Sequence, residues 1–327
     1  MSKFKVALIT LLIAIVLLVL KFYAYQLSGS KAILSDALES IVNVVSAVTL
    51  TIVTYISSQP PDEGHPYGHG KIEYISSAFE GGAILFAGIL IIVDAGQSLF
   101  GTIMLQELRF ALGLIAVASF VNGVTGLLLK KAGSTRNSPA LKASGSHLLS
   151  DFWTSLGILG GLLLAKWTGY LILDPILALI VAVLLCREGI KILVSSGYNL
   201  MDAEDRDLLE KLTKIFNKNY RPGIIQIHST RIIRSGDYHH IDVHITVPEF
   251  WDIQEGHDFV AKFEKRIFDD YPYLGELHFH LDPCRKAYCR RCELPNCPIR
   301  AEEFLERKEF TTDKITSFDL PLDSHLV

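Results

Sequence analysis

Apolar residues run almost unbroken through the first two hundred positions of this chain and then give way to short alternations. Six stretches stand out: about Val6–Tyr25, Ala32–Ile56, Phe79–Phe100, Leu108–Leu129, His147–Lys166 and Leu171–Leu193. A hydrocarbon layer about 30 Å thick takes roughly 20 mostly apolar residues in a helix, so the pattern predicts six transmembrane helices. Lys3 and Lys5 before the run Val6–Leu20 also suit the start of a signal peptide. No small-residue cleavage site follows, and five more spans do, so the run is read as the first span. From Asp202 the period changes. Ala203–Asn219 is amphipathic, with Leu208, Leu209, Leu212, Ile215 and Phe216 on one face. Strand signals follow at Ile224–Ile233 and His240–Val247, then a helix at Ile253–Asp270 and a strand at Glu276–Leu281. That α-β-β-α-β order predicts a small α+β sandwich. The expected organisation is an α-helical membrane domain over 1–199, an α+β domain over 200–285 and a Cys-containing extension and tail over 286–327.

Composition supports this division. Of the 327 residues 50% are hydrophobic and only 20% charged, and the mean hydropathy is +0.32. A net charge of −4 offers no general attraction to nucleic acid, which is not an expected partner. Five cysteines are too few for a secreted disulfide scaffold. With the N-terminus inside, one side of the membrane receives Lys3, Lys5, Lys71, Lys130, Lys131, Arg136, Lys142, Arg187 and Lys191. The other receives Lys31, Arg109 and Lys166. The positive-inside bias then places both termini, and the whole second half, in the cytoplasm of a multi-pass protein of the cell (inner) membrane.

Ionisable groups at mid-membrane cost at least about 2.5–3.5 kcal/mol and usually face a cavity or a partner. The second stretch carries Asp36, Glu39 and Asn43; the fifth carries His147 and Asp151. Glu39 and Asn43 are one helical turn apart, as are His147 and Asp151. Two such pairs face to face make four N/O ligands around one small divalent cation. Tetrahedral Zn2+ suits the set, and Fe2+ or Mn2+ also accept it. The alternative is bonding between helices without metal. His147 is expected near the start of its span, Asp36 serves as an access group or spare ligand, and Glu80 and Asp94 read as interfacial or helix-bonding groups. Between the second and third spans, Asp62, His65 and His69 sit among Gly and Pro residues that let a loop close around a second metal.

These residues resemble the cation diffusion facilitator family over roughly 6–285. The carriers are Ser35-Asp36-Ala37-Leu38-Glu39-Ser40, the Asp62-x-x-His65-x-x-x-His69-Gly70-Lys71 loop, His147-x-x-x-Asp151 and the ending Asp282-Pro283-Cys284. The resemblance implies a six-span homodimer that exports a divalent cation, typically Zn2+, in exchange for protons, with a ferredoxin-like cytoplasmic domain. It puts Glu39, Asn43, His147 and Asp151 in the transport site and Asp62, His65 and His69 in the loop site. It also implies regulatory metal at His228, His244, His257, His280 and Asp282, and a Lys71–Asp202 pair at the dimer hinge. The Glu39/Asn43 pair departs from the family's usual two aspartates, or His and Asp. An amide oxygen binds metal but takes no proton, which shifts the preference modestly toward Fe2+ or Mn2+; Co2+ and Cd2+ are further options.

In the soluble part, period-two alternation puts Ile241, Val243, Ile245 and Val247 on one strand face and His240, Asp242 and His244 on the other. Leu277, Phe279 and Leu281 likewise alternate with His278, His280 and Asp282. His239, His240 and His278 are expected at the surface. Cys284, Cys289, Cys292 and Cys297 fall within 14 residues, which in the cytoplasm reads as a structural Zn2+ site. An iron–sulfur cluster or plain thiols are the alternatives. Arg285, Lys286, Arg290, Arg291 and Arg300 offset thiolate charge or meet membrane lipid. Cys186 reads as packing, and no fold signal extends beyond about Ala301. Two further functional classes are a membrane-anchored metal sensor without transport and a membrane zinc hydrolase. An anchor has no use for intramembrane ligands, and no HExxH is present for the hydrolase.

Overall fold

The computed structural model describes residues 2–28, 31–98, 109–168 and 173–317. The chain forms two compact units, 1–201 and 202–327.

The first unit is six long helices: α1 (Lys3–Ser28), α2 (Lys31–Ile56), α3 (Ile72–Ser98), α4 (Arg109–Thr135), α5 (Pro139–Thr168) and α6 (Leu173–Leu200). The shortest has 26 residues, about 39 Å at 1.5 Å per residue. Among the described residues, Lys3–Tyr23 and Ile72–Gln97 are long and apolar enough to cross a membrane, and Ser40–Ile56 is a shorter apolar segment. The unit is apolar outside: Leu12, Val16, Val19, Phe86, Leu90, Phe120, Leu127, Leu128, Val183 and Leu184 are all exposed. Its interior holds polar groups, among them Ser40, Asn43, Ser46, Glu73, Glu80, Asn122, Ser144, His147 and Asp151. This inverts the water-soluble pattern and suits helices solvated by lipid, where small residues let backbones approach and polar groups join helices inside.

Two buried devices hold the bundle. Glu73, with no exposure, accepts from Lys3 Nζ (2.9 Å), Ser57 Oγ (3.0 Å) and Ser138 Oγ. One carboxylate on α3 thereby ties the start of α1, the residue after α2 and the residue before α5. Glycines supply the second device: a Cβ on Gly189 of α6 would stand 2.8 Å from Gly81 O and Leu85 N of α3.

The second unit runs α7 (Arg206–Lys218), β1 (Gln226–Ser235), β2 (Tyr238–Val247), α8 (Ile253–Asp270) and β3 (Leu274–Pro283). A 3₁₀ turn (Lys286–Arg291) and a short α9 (Thr312–Thr316) follow. The expected α-β-β-α-β order is present, and α8 has the bounds read from the sequence. Asp205 caps α7, and a capping box from Asp252 and Glu255 opens α8. The sheet order is β1-β2-β3, antiparallel then parallel. Leu212, Phe216, Ile227, Ile241, Ile245, Phe263 and Ile267 are fully buried between sheet and helices.

Gly189→Ala is expected to force α6 away from α3 and, as overpacking does, to cost about 1–3 kcal/mol. Thermal unfolding of the detergent-solubilised protein checks this. The control is Gly197→Ala, where an added Cβ meets nothing within 4 Å. Equal midpoints for the two variants would show that the α3–α6 approach has slack.

Candidate metal centres

The interior centre is assembled by α2, α3 and α5. α5 begins earlier than its apolar stretch, because Ser138 Oγ accepts from Leu141 N–H (3.4 Å) and Pro139 takes the first helical position. His147 therefore lies more than two turns inside the helix rather than near its start. Asn43, His147 and Asp151 are all buried. Asn43 Nδ2 donates to Asp151 Oδ2 at 2.6 Å. A carboxylate only accepts, so the amide orientation is set, and Asn43 Oδ1 accepts the Nε2–H of His147 at 2.9 Å. Three of the four residues expected at one site are thus joined through Asn43 across two helices. Glu39 lies one turn before Asn43 on α2; its side chain and those of Asp36 and Asp94 are outside the described residues.

Sequence reasoning set Glu80 aside as interfacial or helix-bonding. The structure buries it completely, with Oε2 3.6 Å from His147 Nδ1 and Oε1 accepting from Ser144 Oγ at 3.1 Å. His147 thus stands between Asn43 on one ring nitrogen and a carboxylate on the other. The signal was available in outline, since Glu80 falls a whole number of turns after Glu73 on α3. Pairing it with His147 required knowing that α3 and α5 adjoin. A cavity reaches this centre, lined by Asn43, Glu80, His147, Ser144, Asn122 and Thr125.

The loop between α2 and α3 does bring Asp62, His65 and His69 together, with one ligand atom from each within 4.8 Å of the others. Asp62 accepts from the backbone N–H of His65 at 2.7 Å, which holds its carboxyl below the usual range. His69 Nε2 lies 3.3 Å from its other oxygen. Asp62 and His65 are exposed, His69 less so.

In the second unit, strand register does the assembly. His228 of β1 is opposite His244 of β2, which is opposite His280 of β3, so three imidazoles form a row across the sheet. Asp282 Oδ2 lies 3.4 Å from His228 Nε2 and 3.1 Å from His244 Nδ1, and these three form the second metal-competent group among the described residues. Burial pushes the His228 imidazole below its ordinary pKa, against the pull of Asp282. It is therefore neutral near pH 7, as a ligand must be. His280 sits at the rim, 66% exposed and 3.5 Å from Asp282 Oδ1. His257, 73% exposed on α8, is not drawn to the triad; its near neighbour is Asp258.

Two of the histidines expected at the surface are buried. His239 has the parity of Ile241 and Val243 and so faces the core, where its Nδ1 lies 2.7 Å from Tyr271 Oη. His240, on the other face, is held by Glu276 at 2.7 Å. His278 is exposed, as expected. Cys284, Cys289, Cys292 and Cys297 are all free thiols lining one cavity. Lys71 closes the turn into α3, and Asp202, at φ 54°, ends α6 in the left-handed conformation that Asp tolerates.

Apolar-surfaced helices enclosing N/O donors, followed by a unit with a donor cluster of its own, make a membrane protein that handles metal cations. Comparison with known proteins gives the family. Residues 7–201 match the cation efflux transmembrane domain, and residues 205–284 match the cytoplasmic domain of cation efflux proteins. The chain belongs to the cation efflux (cation diffusion facilitator) family of divalent cation exporters. An uncharacterized transporter of Synechocystis sp. is 34% identical over 249 residues, 76% of this chain and 80% of that protein. The manganese efflux system protein MneS of Bacillus subtilis is 26% identical over 282 residues, 85% of this chain and 94% of that protein. The cation-efflux pump FieF of Yersinia pestis is 26% identical over 273 residues, 83% of this chain and 90% of that protein.

Burial against Tyr271 lowers His239 to a pKa of about 4, below the unfolded value of about 6.5. The unfolded state therefore binds the proton more readily, and this contribution to stability is lost as pH falls from about 6.5 toward 4. His239→Gln is expected to make the thermal midpoint of the second unit less steeply dependent on pH across that window. Parallel curves for variant and wild type would refute the assignment.

Proposed function

We propose that this chain exports a divalent transition-metal cation from the cytoplasm in exchange for protons. The carrying observation is the buried Asn43–His147–Asp151 contact inside an apolar-surfaced helical unit. In this reading all six helices cross the inner cell membrane, both termini are cytoplasmic, and two chains form a homodimer. Glu39 completes the transport site from α2. The ligands now bonded to each other would turn to the ion, and the imidazole and the carboxylates among them must be deprotonated to bind. A proton-rich exterior then releases metal by alternating access, and the same groups carry protons inward. Glu80 supplies a carboxylate that Asn43 does not, taking or returning a proton through His147 Nδ1.

Zn2+ is the first substrate in this reading, since one imidazole with carboxylates suits a tetrahedral ion. Mn2+ is the second, favoured by the oxygen-rich donor set and by similarity to proteins named for manganese efflux. The Asp62–His65–His69 loop is a second binding station. His228, His244 and Asp282 hold regulatory metal, with exposed His280 and His257 available to the partner domain it draws in. Lys71 and Asp202 pair at the dimer hinge.

Reconstitution into liposomes with an imposed pH gradient, with parallel uptake of Zn2+, Mn2+, Fe2+, Co2+ and Cd2+, tests this. One or two cations are expected to enter and to be accompanied by counter-movement of protons, with Asp151→Ala abolishing both. Glu80→Gln is expected to lower apparent metal affinity by about 10–100-fold, the usual cost of losing a group that orients a ligating His. Metal binding without uptake of any cation would instead favour a membrane-anchored sensor. Uptake indifferent to the pH gradient would refute exchange.

A further inference from the structure

We propose that Cys284, Cys289, Cys292 and Cys297 bind one zinc ion as a four-thiolate site, and that this ion fixes the root of a C-terminal strap. The matched cytoplasmic domain ends at residue 284, so three of the four ligands lie beyond it.

The four thiols approach a single cavity from different directions. Cys284 follows β3 and is anchored to β2 by its N–H, which donates to Val247 O at 2.9 Å. Cys289 lies in the 3₁₀ turn and Cys292 ends it. Cys297 comes from the next turn, just after Asn296 at φ 54°. A backbone amide is aimed at one of the sulfurs: Ala301 N–H donates to Cys289 Sγ at 3.3 Å. Arg300 enters the same cavity and donates to the carbonyls of Cys289 (3.1 Å), Cys292 (3.0 Å) and Leu294 (2.7 Å). An amide donor and a guanidinium around clustered sulfurs are an environment for thiolates. No three of the sulfurs lie mutually within 4.8 Å. The ion therefore draws them inward to its bond length of about 2.3 Å. Soft thiolates select Zn2+ over Mn2+ or Mg2+.

The strap then has an address. From Cys297 the chain returns along the sheet: Leu305 N–H donates to Arg290 O at 2.9 Å, and Arg290 pairs with Glu302. Arg307 lies over the Tyr220 ring at 3.7 Å, and Phe310 N–H donates to Asn217 Oδ1 at 2.9 Å. Ile315 enters the core with no exposure. Ser229 N–H donates to Ser317 O at 3.0 Å, at the irregularity in β1 directly after His228. One end of the strap begins two residues after Asp282 and the other ends beside His228, so the zinc holds in place a segment that brackets the sheet triad.

The test uses the full-length, reduced, detergent-purified protein. Cobalt(II) is expected to give thiolate-to-metal charge-transfer absorption and the d–d bands of a tetrahedral ion at one equivalent per chain. Cys297→Ser should remove that absorption, and Cys289→Ser should do the same in a second variant that retains the wild-type fold, while His244→Ala keeps it. A mercurial added to the protein as purified should release one zinc per chain in step with thiol titration. Protease digestion should then cut the strap. Freely titrating thiols with no metal released, a disulfide within the cluster, or iron with acid-labile sulfide would each overturn the zinc site. Release of zinc with the strap still resistant would overturn its structural role.

Discussion

A polar group shut away from water must find its partner inside the protein. In a bundle with an apolar exterior a buried hydroxyl can use a carbonyl of its own helix, as Thr54 and Ser77 do, but a buried carboxylate must draw donors from other segments. This constraint organises the first unit. Glu73 cannot be buried unless Lys3, Ser57 and Ser138 come to it, so its carboxylate fixes where α1 begins, where α2 stops and where α5 starts. The same requirement draws Asn43, His147, Asp151 and Glu80 into one set. Asn43 joins His147 and Asp151 by hydrogen bonds while, among the described residues, Glu80 Oε2 stays buried without one, so the interior is composed of ligand atoms that are only partly satisfied. In the proposed function, metal entering such a set would exchange coordination for the hydrogen bonds of Asn43, which suits a cycle of binding and release.

The clusters outside the bundle are assembled by other means. In the α2–α3 loop, three donors fall within eight residues of sequence and are gathered by a turn in which His65 N–H clamps Asp62. In the sheet, donors about fifty residues apart are gathered by register, which sets His228, His244 and His280 side by side. The row ends at the exposed His280, and His257 on α8 stays apart from it. The cysteine cluster is gathered differently again, by two tight turns closing on the end of β3.

Much of the fold was legible because apolar periodicity carries it. Each of the six helices overlaps one of the six stretches, α8 was read to the residue, and alternation separated the core face of β2 and β3 from the donor face. What was missed shares one cause: it depends on which elements adjoin. α5 begins at Pro139 because Ser138 caps it and feeds Glu73, so a polar first two turns could not mark it as helix. His239 looked like its neighbour His240, yet strand parity sends it inward against Tyr271. The stretch after Ala301 has too few apolar residues to signal a fold alone, and it orders by lending Phe310 and Ile315 to a core built elsewhere. For the interior site, two i, i+4 pairs were enough to nominate the ligands. Glu80 stayed hidden because nothing in α3 says that His147 faces it.

The Asn43 departure takes on a different meaning once Glu80 is in place. An aspartate at position 43 would set a second carboxylate against Asp151, where an amide hydrogen now bridges at 2.6 Å. Two carboxylates that close repel, and one of them would have to hold a proton. The amide removes that conflict and also fixes His147, whose Nε2–H it accepts, so the imidazole presents Nδ1 to Glu80. The carboxyl group missing at position 43 of α2 has a counterpart on α3, where Glu80 stands on the far side of the histidine. A proton arriving at Glu80 and a metal arriving at Asn43 and Asp151 then act on opposite nitrogens of one ring. In the proposed exchange this separates the two cargoes in space while leaving them coupled through His147, a division of labour that paired aspartates on α2 would not provide.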